Sequence, residues 1–332
     1  MTSFQAIPKT ELHVHLEGAF DFPLALRLAR QLPEHPWHDL AQSDLEKRFA
    51  TADFSAFLQN FIEGYRLLNK AEDYQQLTEA LLTRLERQGV VYAEVLYSPG
   101  VAFQKRGIPL AEIHRGMTAG LRQFPHIHVQ WILDTVLNLG PEFMGHTLTQ
   151  VLHNPPPQLG GFCVGGGDPD LVMDPFLPLF YRAQAAGLFC VAHVGEVDGP
   201  ENIRTLVTET DLVRVIHAIA LQRDPDLWPT LKKKGIAIDM CPTSNIRTGV
   251  VPSLKDHPLR RYFDAGLCVA LSTDDPFYFQ TDLRGEYDLL VDWGMEESDR
   301  WQVLLNGWSA SQAPNRLEMC AELESFEPKR WA

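Results

Sequence analysis

The sequence predicts an α/β chain of the (β/α)8, or TIM-barrel, class. Three observations predict it: eight short apolar runs rich in β-branched residues, amphipathic segments between them, and reactive side chains gathered at the ends of those runs. The runs fall at residues 10–16, 90–97, 128–137, 161–165, 188–194, 213–217, 236–241 and 268–272. A strand with one wet face alternates polar and apolar residues. These runs are close to continuously apolar, as parallel strands covered on both faces are. Helical periodicity fills the intervals and is clearest at 74–88, 110–124, 174–186 and 254–265. Eight strand–helix units in 332 residues fit one barrel domain spanning 1–332, with an open doubly wound sheet as the alternative. Two stretches exceed what a crossover needs. Residues from about 21 to 70 form a helical insertion, in which Phe54, Phe57 and Phe61 share a helix face that either packs on the barrel or lids its mouth. Residues after about 292 read as terminal helices lying under the barrel.

Composition narrows the function. Asp and Glu total 43 against 29 Lys and Arg, a net charge of −14, and no basic stripe is present. General affinity for nucleic acid or for an anionic membrane is therefore not expected, which leaves a small molecule as the partner. The five cysteines are odd in number, far apart and mostly set in apolar runs, with no C-x-x-C pair. Buried thiols are expected, not a disulfide framework. No apolar stretch is long enough to span a bilayer, and the first residues lack the pattern of a secretory signal, so a cytoplasmic location is expected.

The reactive side chains sit where barrels build their sites, at the C-terminal ends of strands. His13 and His15 close the first run; residues i and i+2 of a strand point the same way, so both imidazoles face the interior. His193 closes the fifth run with Glu196 three residues on, His217 closes the sixth, and Asp274 and Asp275 come after the eighth. Each alone has a duller explanation, as a satisfied core histidine or as aspartates capping a turn. A second H-x-H pair, His126 and His128, precedes its strand and so belongs to the opposite rim as a surface or packing pair. Three histidine-bearing strand ends and one Asp-Asp end on a single rim make the donor set of a metal site.

The segments PKTELHVHLEG at 8–18, HVGE at 193–196, CPTSN at 241–245 and STDDP at 272–276 resemble the adenosine deaminase family of amidohydrolases, in order and over a span from 8 to about 287. That resemblance implies a barrel of the metallo-dependent hydrolase type that turns a 6-aminopurine into the 6-oxopurine plus ammonia. It implies one zinc ion per subunit, held by His13, His15, His193 and Asp274. Glu196 is then the residue that hands a proton to the ring nitrogen beside the reacting carbon. His217 orients the attacking water and helps deprotonate it, and Asp275 hydrogen-bonds the purine N7. Gly167 matches the backbone position that contacts N3, and Glu17 the one that touches the group on N9. The chemistry agrees: zinc makes water nucleophilic near neutral pH, attack at C6 needs an acid at N1, and a carboxyl in a dry pocket keeps its proton. The zinc site of cytidine deaminases is excluded, because it needs a C-x-x-C pair. Another amidohydrolase reaction on the same metal site, or a catalytically dead binding protein, are the rival readings. The first is disfavoured by the absence of a bridging lysine near 165–167, the second by an intact donor set.

Three positions depart from the family pattern. Ala218 comes after His217 where glycine is usual, Val194 stands where alanine is common, and Pro169 replaces an acidic residue. Substrate signals are mixed. Glu17, in place of aspartate, resembles adenine deaminases and the deaminases of 6-amino-6-deoxyfutalosine in menaquinone biosynthesis. Leu96 stands where adenosine-specific members tend to carry arginine. Tyr97–Gly100, Asp134 with Gly140-Pro141-Glu142, and 244–249 look most like the aminodeoxyfutalosine group, whose substrate carries a benzoate. The expected substrate is therefore aminodeoxyfutalosine or adenosine, with adenine as the alternative. Arg247 is the expected partner of the benzoate, since a guanidinium matches a carboxylate bidentately; its other reading is a structural loop residue.

Overall fold

The computed structural model describes residues 3–50 and 54–325. Eight strands, β1 (Lys9–His15), β2 (Val90–Tyr97), β3 (His128–Val136), β4 (Leu159–Gly165), β5 (Phe189–Val194), β6 (Leu212–His217), β7 (Ala237–Met240) and β8 (Val269–Leu271), pair in parallel in sequential order. The sheet rolls up until the residues after β8 meet β1. There His15 N donates to the Asp274 carbonyl and Asp274 N to the His13 carbonyl, both at 2.9 Å. The first, second and sixth strands begin and end within a residue of the apolar runs. β7 and β8 are shorter than their runs, because Cys241 and Ser272 already turn towards the rim.

Helices cover the outside between consecutive strands, among them Ala71–Arg87, Leu110–Leu121, Gly140–His153, Pro200–Glu209 and Trp228–Lys234. Two expected helices are broken. The 174–186 segment starts as a 3-10 turn, Asp174–Phe176, and becomes α-helical at Leu177–Ala185 with a proline in its first turn. The 254–265 segment divides into Leu254–Asp256 and Leu259–Asp264, because Pro258 pushes the residue before it out of helical geometry. In the insertion, helices run over Phe22–Ala29, Gln42–Phe49 and Phe54–Tyr65; residues 51–53 lie outside the described residues. Phe57 stacks on Phe279 at 4.8 Å and Phe61 meets Tyr278 at 5.7 Å, so the aromatic face packs on the segment just beyond the Asp-Asp pair. His126 and His128 are both exposed on the far rim, the first paired with Glu86 at 2.7 Å and the second stacked on Tyr92.

Inside the barrel the side chains form layers. Leu96, Ile132, Cys163, Val191 and Ile216 make an apolar layer beneath the rim. Below it lies a charged layer that sequence patterning does not reveal. The fully buried Arg214 donates to Glu94 Oε2 at 2.5 Å and has Asp239 Oδ2 at 3.6 Å. The Nη2 that meets Glu94 also donates to the Leu12 carbonyl, and Nη1 to that of Ala310, both at 3.1 Å. Glu94 also accepts from the Gln312 backbone N–H at 2.6 Å, so the helix Glu297–Ala310 is tied to the barrel floor through the same ion pair. Removing one member of a buried pair strands the other charge in a medium that cannot solvate it. Glu94→Ala is expected to lower the unfolding free energy by about 3–5 kcal/mol, read from urea denaturation of the purified protein.

Candidate metal centre and active site

Strand alternation and the left-handed turns at strand ends bring the rim residues together. His13 and His15 are i and i+2 on β1. His217 and Asp274 take φ values of 62°, a conformation rare outside glycine that aims both side chains inward as the backbone turns out of the barrel. Ala218 sits in the same region at φ 51°, which explains why glycine suits that position.

Four donor atoms converge. His13 Nε2 lies 3.3 Å from His15 Nε2 and 3.0 Å from His193 Nε2, and His15 Nε2 lies 3.2 Å from His193 Nε2. Asp274 Oδ1 is 3.2 Å from His13 Nε2 and 3.4 Å from His15 Nε2. Donors bound tetrahedrally at about 2.0–2.1 Å from a zinc-sized cation stand about 3.3 Å apart, so the spacing fits one ion. Protonation fits too. His193 Nδ1 must donate, because its partner at 3.0 Å is the Val164 carbonyl; the neutral ring then has a bare lone pair at Nε2. Burial pushes the His193 pKa down to about 3 and lowers those of His13 and His15, which keeps the rings neutral. For Asp274 burial acts upward, but the adjacent His13 overcomes it and holds the carboxyl well below its usual range. Three bare imidazole nitrogens facing one carboxylate repel one another unless a cation lies between them.

Two of the five cysteines back this cluster in a way the sequence did not disclose. Cys241 Sγ lies 3.2 Å from His13 Nδ1, and Cys163 Sγ lies 3.3 Å from His193 Nδ1. Burial raises both thiol pKa values, so these sulfurs remain neutral partners behind the rings. Ser244 donates to Asp274 Oδ2 at 2.6 Å and orients that carboxylate.

Around the donors lies a cavity of about 530 Å³ lined by His15, His193, Glu196, His217, Asp274 and Asp275 on its chemical side. Glu196 Oε2 is 3.7 Å from His217 Nε2, and burial raises the Glu196 pKa. Asp275 is 3% exposed, its Oδ1 has no hydrogen-bond partner, and burial together with Asp274 raises its pKa well above the carboxylate range. Gly18 makes room for it: a Cβ there would stand 1.9 Å from Asp275 Oδ1. Gly167 lines the cavity, and Asn138 Nδ2 donates to its carbonyl at 3.0 Å. Glu17 lies behind the wall, 1% exposed, where its Oε1 accepts from Ser98 N at 3.0 Å. Ser98 Oγ in turn donates to Asp134 Oδ2 at 2.5 Å, and the second oxygens of Glu17 and Asp134 are buried without a partner.

Arg247 is placed elsewhere. Its Nη1 reaches the Ala50 carbonyl at 3.5 Å, and it is not among the residues lining the cavity. The short helix Pro242–Arg247 uses its first turn to present Ser244 and Asn245 inward, which turns its last residue towards the insertion. The cations that do line the cavity are Arg66, Lys105 and Arg106, beside Phe54, Phe57, Leu58 and Phe61.

A parallel barrel whose rim gathers this donor set has the architecture of a metal-dependent amidohydrolase. The sequence profile described as Adenosine deaminase matches residues 8–323, and the chain belongs to that family of purine deaminases. It is 32% identical over 308 residues to the aminodeoxyfutalosine deaminase of Acidothermus cellulolyticus, an alignment covering 89% of this chain and 85% of that one. A crystal structure of adenine deaminase from Arthrobacter aurescens superposes with a TM-score of 0.88 at 25% identity, covering 96% of this chain and 98% of that one. An amidohydrolase from Burkholderia ambifaria with bound zinc shares the fold, with a TM-score of 0.84 at 23% identity over 97% of this chain and 92% of that one. Among the described residues no helix is long and apolar enough to cross a membrane.

Metal analysis of the purified protein is expected to give one divalent cation per chain. His193→Ala should bring it below about a tenth of that, while His126→Ala on the far rim leaves it unchanged.

Proposed function

We propose that the chain is a zinc-dependent hydrolytic deaminase of a 6-aminopurine nucleoside, with aminodeoxyfutalosine as its substrate. The observation that carries this reading is the cavity: beyond the donor cluster it extends to a wall where Arg66, Lys105 and Arg106 stand beside aromatic rings. Its volume of about 530 Å³ lies within the range of about 300–1,000 Å³ that takes a ligand larger than a bare base. Arg66 and Lys105 are exposed at the mouth, where a benzoate on the ribose side would find a cation for its carboxylate and a ring face for its arene. The likeness to an aminodeoxyfutalosine deaminase at 32% identity supports it.

His13, His15, His193 and Asp274 would hold the zinc ion, which supplies Lewis-acid activation of the attacking water. The protein's own groups do the rest. Burial raises the Glu196 pKa and so favours the protonated carboxyl, which in that form gives its proton to N1 and makes C6 electrophilic. N7 of a 6-aminopurine is an acceptor, so its partner must donate; Asp275, kept protonated by burial and by Asp274, fits that need. Gly167 offers a backbone contact to N3, and Asp134, which lines the cavity, offers an acceptor on the side where the N9 substituent leaves the ring, with Glu17 behind it holding Ser98 in place. Phe57 and Phe61, packed across the mouth, exclude water from the protonated carboxyls.

An adenine deaminase is the second reading, favoured by the buried Glu17 and by the structural likeness to the Arthrobacter enzyme. An absorbance assay on adenine, adenosine and aminodeoxyfutalosine separates the two. The nucleoside with the benzoate is expected to have the highest kcat/KM, and a clear preference for adenine would overturn the assignment. Lys105→Ala combined with Arg66→Ala should lower kcat/KM for aminodeoxyfutalosine about tenfold while changing that for adenosine little. Glu196→Gln should lower kcat about 1,000-fold with the metal content intact. Because Glu196 and Asp275 act in their protonated forms, activity is expected to be full below their raised pKa values and lost as pH climbs through them.

A further inference from the structure

The inner nitrogen of His217 begins a chain of hydrogen bonds that leaves the cavity. His217 Nδ1 faces Asn245 Nδ2 at 3.2 Å, Asn245 Oδ1 faces His257 Nε2 at 3.1 Å, and the Leu259 backbone N–H meets His257 Nδ1 at 3.3 Å. These contacts can be satisfied in one way only. A backbone amide donates, so His257 Nδ1 accepts. His257 is 4% exposed, and burial lowers its pKa to about 3, so the ring is neutral and its single proton sits on Nε2. That proton requires an oxygen on Asn245, which turns the Asn245 NH₂ towards His217. A neutral His217 therefore has its lone pair on Nδ1 and its proton on Nε2, the nitrogen 3.7 Å from Glu196 Oε2 and 3.9 Å from Asp274 Oδ2.

We infer that Asn245 and His257 are positioning residues that hold His217 as the Nε2–H tautomer, so that it meets the attacking water as a hydrogen-bond donor and not as its base. The family resemblance suggests instead that His217 helps deprotonate that water. A ring whose only lone pair is engaged by Asn245 offers no acceptor on the substrate side. As the water oxygen bonds to C6, its proton goes to the Asp274 carboxylate, the C6–N1 π pair moves onto N1, and N1 takes the proton of Glu196. His217 Nε2–H donates to a lone pair of that oxygen as it adds, which fixes its line of approach to C6. The kinetic consequence rests on the deaminase reading, whereas the tautomer is a property of the resting protein and can be read without any substrate.

The test uses the zinc-loaded enzyme with ¹⁵N-labelled histidine. Long-range ¹H–¹⁵N correlations distinguish a protonated from a bare ring nitrogen, and loss of one ring's signals in His217→Gln identifies the residue. The expected result is a bare Nδ1 and a protonated Nε2 on His217; a proton on Nδ1 in the wild-type protein overturns the inference. Asn245→Asp places an acceptor against Nδ1 and should draw the proton there, with kcat falling about 100-fold and KM changing less than about threefold. Wild-type kcat in Asn245→Asp, or a tautomer that does not move, also overturns it. At the outer position, His257→Leu removes the donor and should lower kcat, while His257→Gln retains an amide N–H for Asn245 Oδ1 and should restore most of it. Equal loss in both variants counts against the relay.

Discussion

The architecture depends on a seam. Two backbone hydrogen bonds join Asp274 to His13 and His15, and they close the sheet where the first strand meets the segment beyond the last one. β8 is only three residues long, so little ladder remains to hold that edge. The seam compensates by using the proposed metal ligands themselves as its backbone partners. Barrel closure and donor convergence are thus one event: when Asp274 pairs with β1, its carboxylate has no place to go except beside the two imidazoles. The left-handed backbone at Asp274 is held because both of its neighbours in the pairing are fixed.

Two charged layers share the barrel interior and are kept apart by an apolar one. At the rim, neutral imidazoles and a single carboxylate leave a net negative pocket suited to a cation. At the floor, Arg214 carries its own positive charge between Glu94 and Asp239. Leu96, Ile132, Cys163, Val191 and Ile216 lie between them without a formal charge. The apolar layer separates the two, so the floor can bind the terminal helix through Arg214 and Glu94 apart from the donor cluster at the rim.

The strands were legible because parallel strands covered on both faces leave an unbroken apolar trace, and the rim was legible because its residues end those traces. Spacing along one strand gave the His13–His15 pair, and strand position distinguished it from His126–His128. Contacts between residues far apart in sequence stayed hidden. Nothing in the run around Arg214 announces that its guanidinium reaches Glu94 and the end of a terminal helix. Cys163 and Cys241 read as small hydrophobes, and only the fold puts them behind two histidines. Arg247 was a reasonable partner for an anion by residue type, yet its helix faces the insertion, and the cations at the cavity wall, Arg66, Lys105 and Arg106, are residues that no sequence motif singled out. The CPTSN segment was noticed as a family signature; its physical meaning, Ser244 against Asp274 and Asn245 against His217, needed the distances.

The order in which the chain leaves the ribosome gives the seam a biosynthetic consequence. His13 and His15 are made before Asp274, the carboxylate that completes their set, and seven further strands separate the two. The floor closes later still, when Ala310 and Gln312 reach Arg214 and Glu94. A growing chain therefore carries these two histidines through the making of seven further strands before the carboxylate that joins them exists. The proposed ion would therefore find its full donor set only once Asp274 has been made and has paired with β1, so the closing of the seam sets when a cation can be held.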